Sequence, residues 1–243
     1  MTLLALPLVL GFALIHLLIG RLGFLDALPR SRWLSAAGGV AVAYVFLHVL
    51  PELALHTGTF AKSLALSEER AEALVYLLAL AGLATFYGLE RAAKVSRARS
   101  RRGGGDDMVE ADLFWLHIGS FAVYNALIGY LLLHREDTGP VSLLLYFVAM
   151  ALHFVTADHG LRDHHKGRYD RTGRWVLAGA VTLGWATGLL VSLPEAAIGF
   201  LFAFLAGSVV LNVLKEELPE ERESSFGAFA LGTAGYAALL LLA

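Results

Sequence analysis

Apolar residues fall into eight long runs, separated by stretches that carry most of the charged residues. A helix of about 20 apolar residues is long enough to cross the hydrocarbon core of a bilayer. The runs cover residues of about 2–20, 34–54, 71–89, 112–133, 141–161, 175–193, 195–214 and 226–242. This pattern predicts an all-α, polytopic membrane protein with eight transmembrane helices, built as a single transmembrane domain over residues 1–243.

The composition agrees with this pattern and limits the function. Of the 243 residues, 57% are hydrophobic and 16% are charged, whereas soluble domains carry about a quarter charged residues. Eight spanning helices use about 160 residues, which excludes a large soluble catalytic domain. The chain has no cysteine, so disulfides, thiolate catalysis and thiolate metal ligands are excluded. The net charge of −2 gives no sign of a nucleic acid partner.

Lysine and arginine are divided unevenly between the connections. The odd-numbered connections hold 16 of these residues and the even-numbered connections hold 3. Cytoplasmic loops are enriched in lysine and arginine, so we predict that both termini lie outside the cytoplasmic (plasma) membrane. The longest connection, of about 91–110, has a Gly-rich centre and no periodicity, which predicts a flexible cytoplasmic linker.

Two copies of Leu-Pro-Glu suggest an internal repeat. Leu50-Pro51-Glu52 lies at the end of the second predicted helix, and Leu218-Pro219-Glu220 lies at the end of the seventh. The predicted topology puts them at opposite faces of the membrane, as an inverted repeat would. We therefore predict that helices 1–3 and 6–8 form mirrored halves around helices 4 and 5. A GxxxG motif at Gly184–Gly188 predicts close helix packing, either within the bundle or in a homodimer.

Several ionisable or amide side chains lie inside the predicted helices. A charged group there costs about 2.5–3.5 kcal/mol on insertion scales and therefore needs a reason. Imidazole and carboxylate are ligands for zinc and other first-row divalent ions. His153 and Asn125 are predicted near the midplane, and His117 and Asp158 nearer the cytoplasmic face. Two or three ligands at each level fall short of a closed tetrahedral site, which favours transit of a cation over its retention.

Other polar residues lie near the ends of this predicted route. The candidates for entry and exit are His48, Glu52 and Glu216. His16 also lies near the cytoplasmic face, where a hydrogen-bonded interior histidine is the simpler interpretation. His164 and His165 follow the fifth predicted helix, and we expect them on a solvated loop.

The motifs around these residues resemble the ZIP family of zinc and iron transporters. The run Phe46–Glu52 is similar to the end of that family's second helix, and Ala206–Glu220 to its seventh-helix signature. Ala151-Leu152-His153 leads into the fifth helix as the family's His-Glu-x-Pro-His-Glu motif does. The resemblance covers most of the chain. It implies a carrier that binds zinc or another divalent metal as cargo and has no prosthetic group.

The chain departs from the family at the metal site. The family's helix-4 motif, His-Asn-x-x-Asp/Glu-Gly, maps onto Phe121–Ala126, so that Asn125 stands at the carboxylate position. In helix 5, His153–Asp158 keeps the first histidine and a terminal acid but lacks the second histidine and the acid between them. A two-metal centre of the family type is therefore not expected, and His117 is the candidate replacement for the lost helix-4 histidine.

These observations leave three functions open. The first is a ZIP-like transporter of divalent metal cations, with zinc foremost, moving ions toward the cytoplasm; its partners are the ions and the lipid bilayer. The second is a transport-inactive, ZIP-like membrane sensor or scaffold. The third, an intramembrane zinc hydrolase, needs three ligands and an activated water at one depth, for which the candidates are His16, His117, Asp158 and His159. The first two imply no enzymatic activity.

Overall fold

The computed structural model describes residues 2–22, 32–102, 111–135, 139–165, 167–217 and 225–242, and over these residues it contains helices joined by short turns and no strand. In chain order the helices are α1 (Thr2–Leu18), α2 (Arg32–Leu64), α3 (Glu68–Arg102), α4 (Ala111–Leu131), α5 (Pro140–His165), α6 (Arg174–Leu190), α7 (Glu195–Glu217) and α8 (Phe226–Leu242). The all-helical part of the prediction is confirmed.

Six of the described helices are long and apolar enough to cross a membrane. They are α2 to α5, α7 and α1, which continues as a 3₁₀ turn to Arg21, whereas α8 is a shorter apolar helix and α6 has 17 residues. These lengths and compositions fit a multi-pass membrane protein. The count of eight spans, the plasma membrane and the outward termini stay predictions.

α2 contains one π-helical turn, Val45–Val49. Pro51 follows this turn, and a proline inside a helix lacks an N–H and clashes with the carbonyl four residues earlier. The N–H of Leu50 donates to the carbonyl of Val45, five residues back, so the helix widens immediately before the proline. The helix then continues to Leu64, ten residues beyond its predicted end near 54, and joins α3 through Ala65, whose φ of 53° is left-handed.

α3 extends well past its apolar segment, which corrects the predicted linker. Its 35 residues extend about 52 Å at 1.5 Å per residue, more than the hydrocarbon thickness of about 30 Å. Residues 91–102 of the expected flexible linker are therefore helical. Alanine and arginine are strong helix formers, and Ala93 and Ser96 are buried against the rest of the protein. Residues 103–110 lie outside the described residues.

The helices pack as two groups of four. α6 packs against α4 and α1, and α1 also packs against α5; we call α1, α4, α5 and α6 bundle A. α8 packs along α2 and α7 along α3, while the second half of α2 contacts both α3 and α7; we call these four bundle B. The main contacts between the bundles are α5 with α2 and α4 with α3. Each bundle thus takes helices from both predicted halves.

Three parallel helix pairs cross with their backbones in close contact. In each pair, a glycine of one helix faces a carbonyl of the other, and the arrangement is reciprocal. A Cβ at any of these glycines would lie 1.7–2.2 Å from that carbonyl oxygen, so only glycine fits. The pairs are Gly39 and Gly232 for α2 and α8, Gly82 and Gly207 for α3 and α7, and Gly129 and Gly184 for α4 and α6. Gly184 of the GxxxG motif therefore packs inside the chain.

Gly184→Ala should separate α6 from α4, whereas Gly179→Ala should not. A Cβ at Gly184 would lie 1.7 Å from the Ala126 carbonyl oxygen, but nothing lies within 4 Å of one at Gly179 on the same helix. We expect Gly184→Ala to lower the free energy of unfolding by about 1–3 kcal/mol. Gly179→Ala should raise it by up to about 1 kcal/mol through helix propensity. Thermal unfolding in detergent measures both, and shifts of the same sign would contradict this packing.

Candidate functional site

The predicted ligands of α5 lie on different faces of that helix. His153, Gly160 and His164 line one side of a narrow cavity between the bundles, where the spacing of seven and eleven residues keeps them on one face. Asp158 is turned by about 140° from His153, and it faces α1 inside bundle A. The cavity has a volume of about 10 Å³, roughly the room that one water needs.

Asp158 is held by His16. The Asp158 Oδ2 and His16 Nδ1 atoms lie 2.7 Å apart, and both side chains are buried. Tyr169, from the π-helical turn Tyr169–Gly173 before α6, is also buried beside them. Burial raises the pKa of the Tyr169 hydroxyl above its usual value, and the Asp158 carboxylate raises it further, so the hydroxyl stays protonated. The interpretation of His16 as a hydrogen-bonded interior residue agrees with this geometry.

His153 is bonded to Tyr124 of α4. The Tyr124 hydroxyl oxygen lies 2.8 Å from His153 Nε2, and both side chains are buried. Asn125, the residue predicted to share this level, instead donates from Nδ2 to the Phe121 carbonyl of its own helix, 2.8 Å away. Its Oδ1 atom is buried with no hydrogen-bond partner among the described residues. His153 thus has a polar partner, Tyr124, that was not predicted from the sequence.

His117 pairs with His165 rather than with Asp158. His117 Nδ1 and His165 Nε2 lie 2.9 Å apart, and both rings are buried. The solvated loop expected for His164 and His165 is wrong, because α5 continues through both residues. His165 in the last turn of α5 thus points into bundle A between the helices.

A cluster of charged and polar side chains lines the narrow cavity, at the end of the bundle interface that is farther from Leu64, the last residue of α2. Glu90 of α3 lies 2.8 Å from His164 Nε2 and 3.0 Å from Lys215 Nζ, which come from α5 and α7. Asn212 lines the same cavity. This cluster joins bundle A to bundle B, and we call it the Glu90 cluster.

The opposite end of the bundle interface holds a much larger cavity. Its volume is about 560 Å³, and its walls come from α2 and α7 of bundle B and from the ends of α4 and α6 of bundle A. Its ionisable residues are Glu52, His56, His134, Arg135 and Glu195. His48 lines a neighbouring cavity of about 320 Å³, and its Nε2 lies 3.3 Å from Glu52 Oε2. The Glu216 side chain lies outside the described part of the chain.

The candidate ligands thus form pairs rather than a cage. Among the described residues, no three histidine, aspartate or glutamate side chains come close enough together to hold one metal ion. Each of His153, Asp158 and His117 already has a protein partner. A side chain in such a pair can bind a cation only if the cation displaces the side chain's hydrogen-bond partner or if both side chains move.

His164 and Glu90 were not predicted as residues of this site, yet the sequence carries a signal for each of them. If the fifth helix is extended to His165, the spacing of His153 and His164 places both on one face. Glu90 follows directly on the apolar run 71–89 and has the position of a charge that ends it, although it is nine-tenths buried. Its partner Lys215 lies more than a hundred residues away along the chain, and no local pattern connects the two.

We compared the chain with family models, curated proteins and solved structures. No family model, no curated protein and no solved structure matches the chain.

Proposed function

We propose that this protein is a ZIP-like transmembrane transporter of divalent metal cations, with zinc foremost, that moves ions toward the cytoplasm. The observation that carries the proposal is the pair of polar cavities at opposite ends of one interface between two helix bundles. His153 lines the inner part of this interface, and imidazole is a zinc ligand. In a protein made of apolar helices, such an interface is the natural path for a hydrated ion.

The difference between the two cavities supports alternating access. At the Glu52 end the bundles enclose about 560 Å³, and at the Glu90 end about 10 Å³. In the proposed cycle, one bundle shifts against the other so that the wide end closes and the narrow end opens. By the predicted topology, the wide end faces the outside, which fits uptake.

An inverted repeat would supply the second state, and the register of two glycines with the Leu-Pro-Glu segments supports one. Gly39 precedes Pro51 by twelve residues, as Gly207 precedes Pro219. A Cβ at Gly39 would meet Phe229 and Thr233, and one at Gly207 would meet Ala79 and Leu83, with the same spacing of four in each case. The pair of α4 and α6 crosses in the same way, so it is the register with Leu-Pro-Glu, rather than the crossing itself, that favours a repeat.

Zinc flux into proteoliposomes tests this function. With a zinc-sensitive dye inside, the wild-type protein should carry external Zn²⁺ inward, and His153→Ala should lower the initial rate at least about tenfold through loss of a ligand. Val148→Ala, on the lipid-exposed side of the same helix, is the matched control and should keep the wild-type rate. Iron and manganese are tested in parallel.

Two outcomes would contradict the proposal. One is the absence of flux for every ion tested, from protein that a thermal unfolding measurement shows to be folded. The other is equal flux in His153→Ala and the wild type, which would remove this residue from the route.

The second candidate is the transport-inactive sensor or scaffold. The observation that favours it is the Glu90 cluster, because Lys215 places a positive charge beside the cavity that His153 lines. If the protein is such a sensor or scaffold, we expect it to fold but to carry no ion.

A further inference from the structure

Glu90 lies among basic side chains from three helices. His164 of α5 lies against its Oε1 atom at 2.8 Å, and Lys215 of α7 against its Oε2 atom at 3.0 Å. Lys94, one turn further along α3, is 3.8 Å from Oε1, but its side chain is 59% exposed. Each oxygen of the carboxylate therefore has a nitrogen of a basic side chain within 3.0 Å.

The same side chains form the wall of the cavity that His153 lines. Glu90, His164, Asn212 and Lys215 belong to it together with His153. Of the acidic residues that the structure describes, Glu90 is the one that lines this cavity. A cation that passes His153 toward this end thus meets the Glu90 carboxylate, and it finds the Lys215 ammonium already there.

We propose that Glu90 and His164 form a divalent-cation site at this end of the route, and that Lys215 occupies it as a tethered cation that the ion must displace. The direction of travel rests on the proposed function, whereas the site is defined by these three side chains. Carboxylate oxygen and imidazole nitrogen are ligands for Zn²⁺ and Co²⁺, and the Asn212 amide faces the same cavity.

Lys215 is suited to be displaced. An ammonium has three donors and no lone pair, so it pairs with the carboxylate but cannot share a metal ion with it. Its side chain is 26% exposed, and a lysine stem is flexible enough to carry the charge into water. A site with a built-in competitor holds its ion weakly, which suits the release of cargo.

Metal binding by variants of the full-length protein in detergent tests this site. Co²⁺ is followed by its visible d–d absorption and Zn²⁺ by calorimetry. Lys215→Met should bind one more Co²⁺ than the wild type, or bind it at least about tenfold more tightly, because a like charge has been removed from the site. Glu90→Gln/Lys215→Met should lose this gain, and Lys215→Arg should behave as the wild type.

Lys94→Met is the matched control, since it removes the same charge near the same carboxylate from an exposed position. It should change Co²⁺ affinity by less than about twofold because solvent screens exposed charges. Equal gains in Lys94→Met and Lys215→Met would overturn the proposal, as would a gain that survives Glu90→Gln. Lys215→Gln accompanies Lys215→Met; failure of both to fold would also overturn it, because the lysine would then be a structural charge.

The site and the proposed function fail separately. A gain of Co²⁺ affinity in Lys215→Met, without any ion flux in the wild type, would support the metal site and contradict the transport function. Flux that depends on His153, with no change of Co²⁺ affinity on removing Lys215, would support the transport function and contradict the role of Lys215 as a tethered cation.

Discussion

Asp158→Leu is expected to lower the free energy of unfolding by about 3–5 kcal/mol, since removing one partner of a buried ion pair leaves the other uncompensated. The partner is His16, 2.7 Å away, and both side chains are buried inside bundle A. Replacing both residues by leucine should recover most of this loss, because apolar side chains of similar volume substitute well for a buried pair. Denaturation in detergent gives the four values of the double-mutant cycle.

Asp170→Leu is the matched control for this cycle. Asp170 pairs with Arg162 at 2.9 Å, but the two side chains are 38% and 33% exposed, so the loss should stay below about 1 kcal/mol. If Asp158→Leu cost no more than Asp170→Leu, the His16–Asp158 pair would not stabilise bundle A. If the double variant folded but carried no zinc, the carboxylate would act in transport beyond its structural part.

The second large effect concerns the two bundles. Phe86 of α3 and Phe121 of α4 meet across the bundle interface, with ring centroids 5.4 Å apart. In a Phe86→Cys/Phe121→Cys variant, a short bis-methanethiosulfonate reagent should link the bundles. Zinc flux should then fall to the level of protein-free liposomes and return after reduction, because the proposed cycle needs the bundles to shift. The chain has no native cysteine, so no background thiol needs removal.

A pair inside bundle B controls for the chemistry. Phe60 of α2 and Phe200 of α7 stack with centroids 4.6 Å apart, and linking Phe60→Cys/Phe200→Cys should leave the flux of that variant unchanged. Persistence of flux in the linked Phe86→Cys/Phe121→Cys protein would show that the bundles need not move. Equal loss in both pairs would show that the reagent acts elsewhere.

The apolar runs predicted the helices well but not their ends. Hydropathy marks the part of a helix that suits lipid, and it does not register helix propensity beyond that part. α2, α3 and α5 therefore continue past their predicted runs, to Leu64, Arg102 and His165. The error at α5 had the largest effect, because it placed the buried His165 and the largely buried His164 on a solvated loop.

The candidate site was predictable in residue type but not in pairing. Depth along a helix can be counted from the sequence, which predicts His153 and Asp158 within a membrane-spanning helix. Which residue faces which depends on how the helices are arranged around one another. His16 and Asp158 are 142 residues apart along the chain, and His117 and His165 are 48 apart; neither spacing contains that information.

The π-helical turn of α2 sets a limit on any symmetry between the two halves. Residues 45–49 correspond to 213–217 of α7 by the Leu-Pro-Glu register, and α7 is a regular α-helix there. One extra residue in a turn puts every later residue of the helix out of phase by about 100° and 1.5 Å. Glu52 and His56 therefore face a direction that an unbroken α2 would not give them. A rotation that superimposes the parts of α2 and α7 before this turn therefore cannot also superimpose residues 45–49 on residues 213–217, so any symmetry between the two halves is broken at this turn.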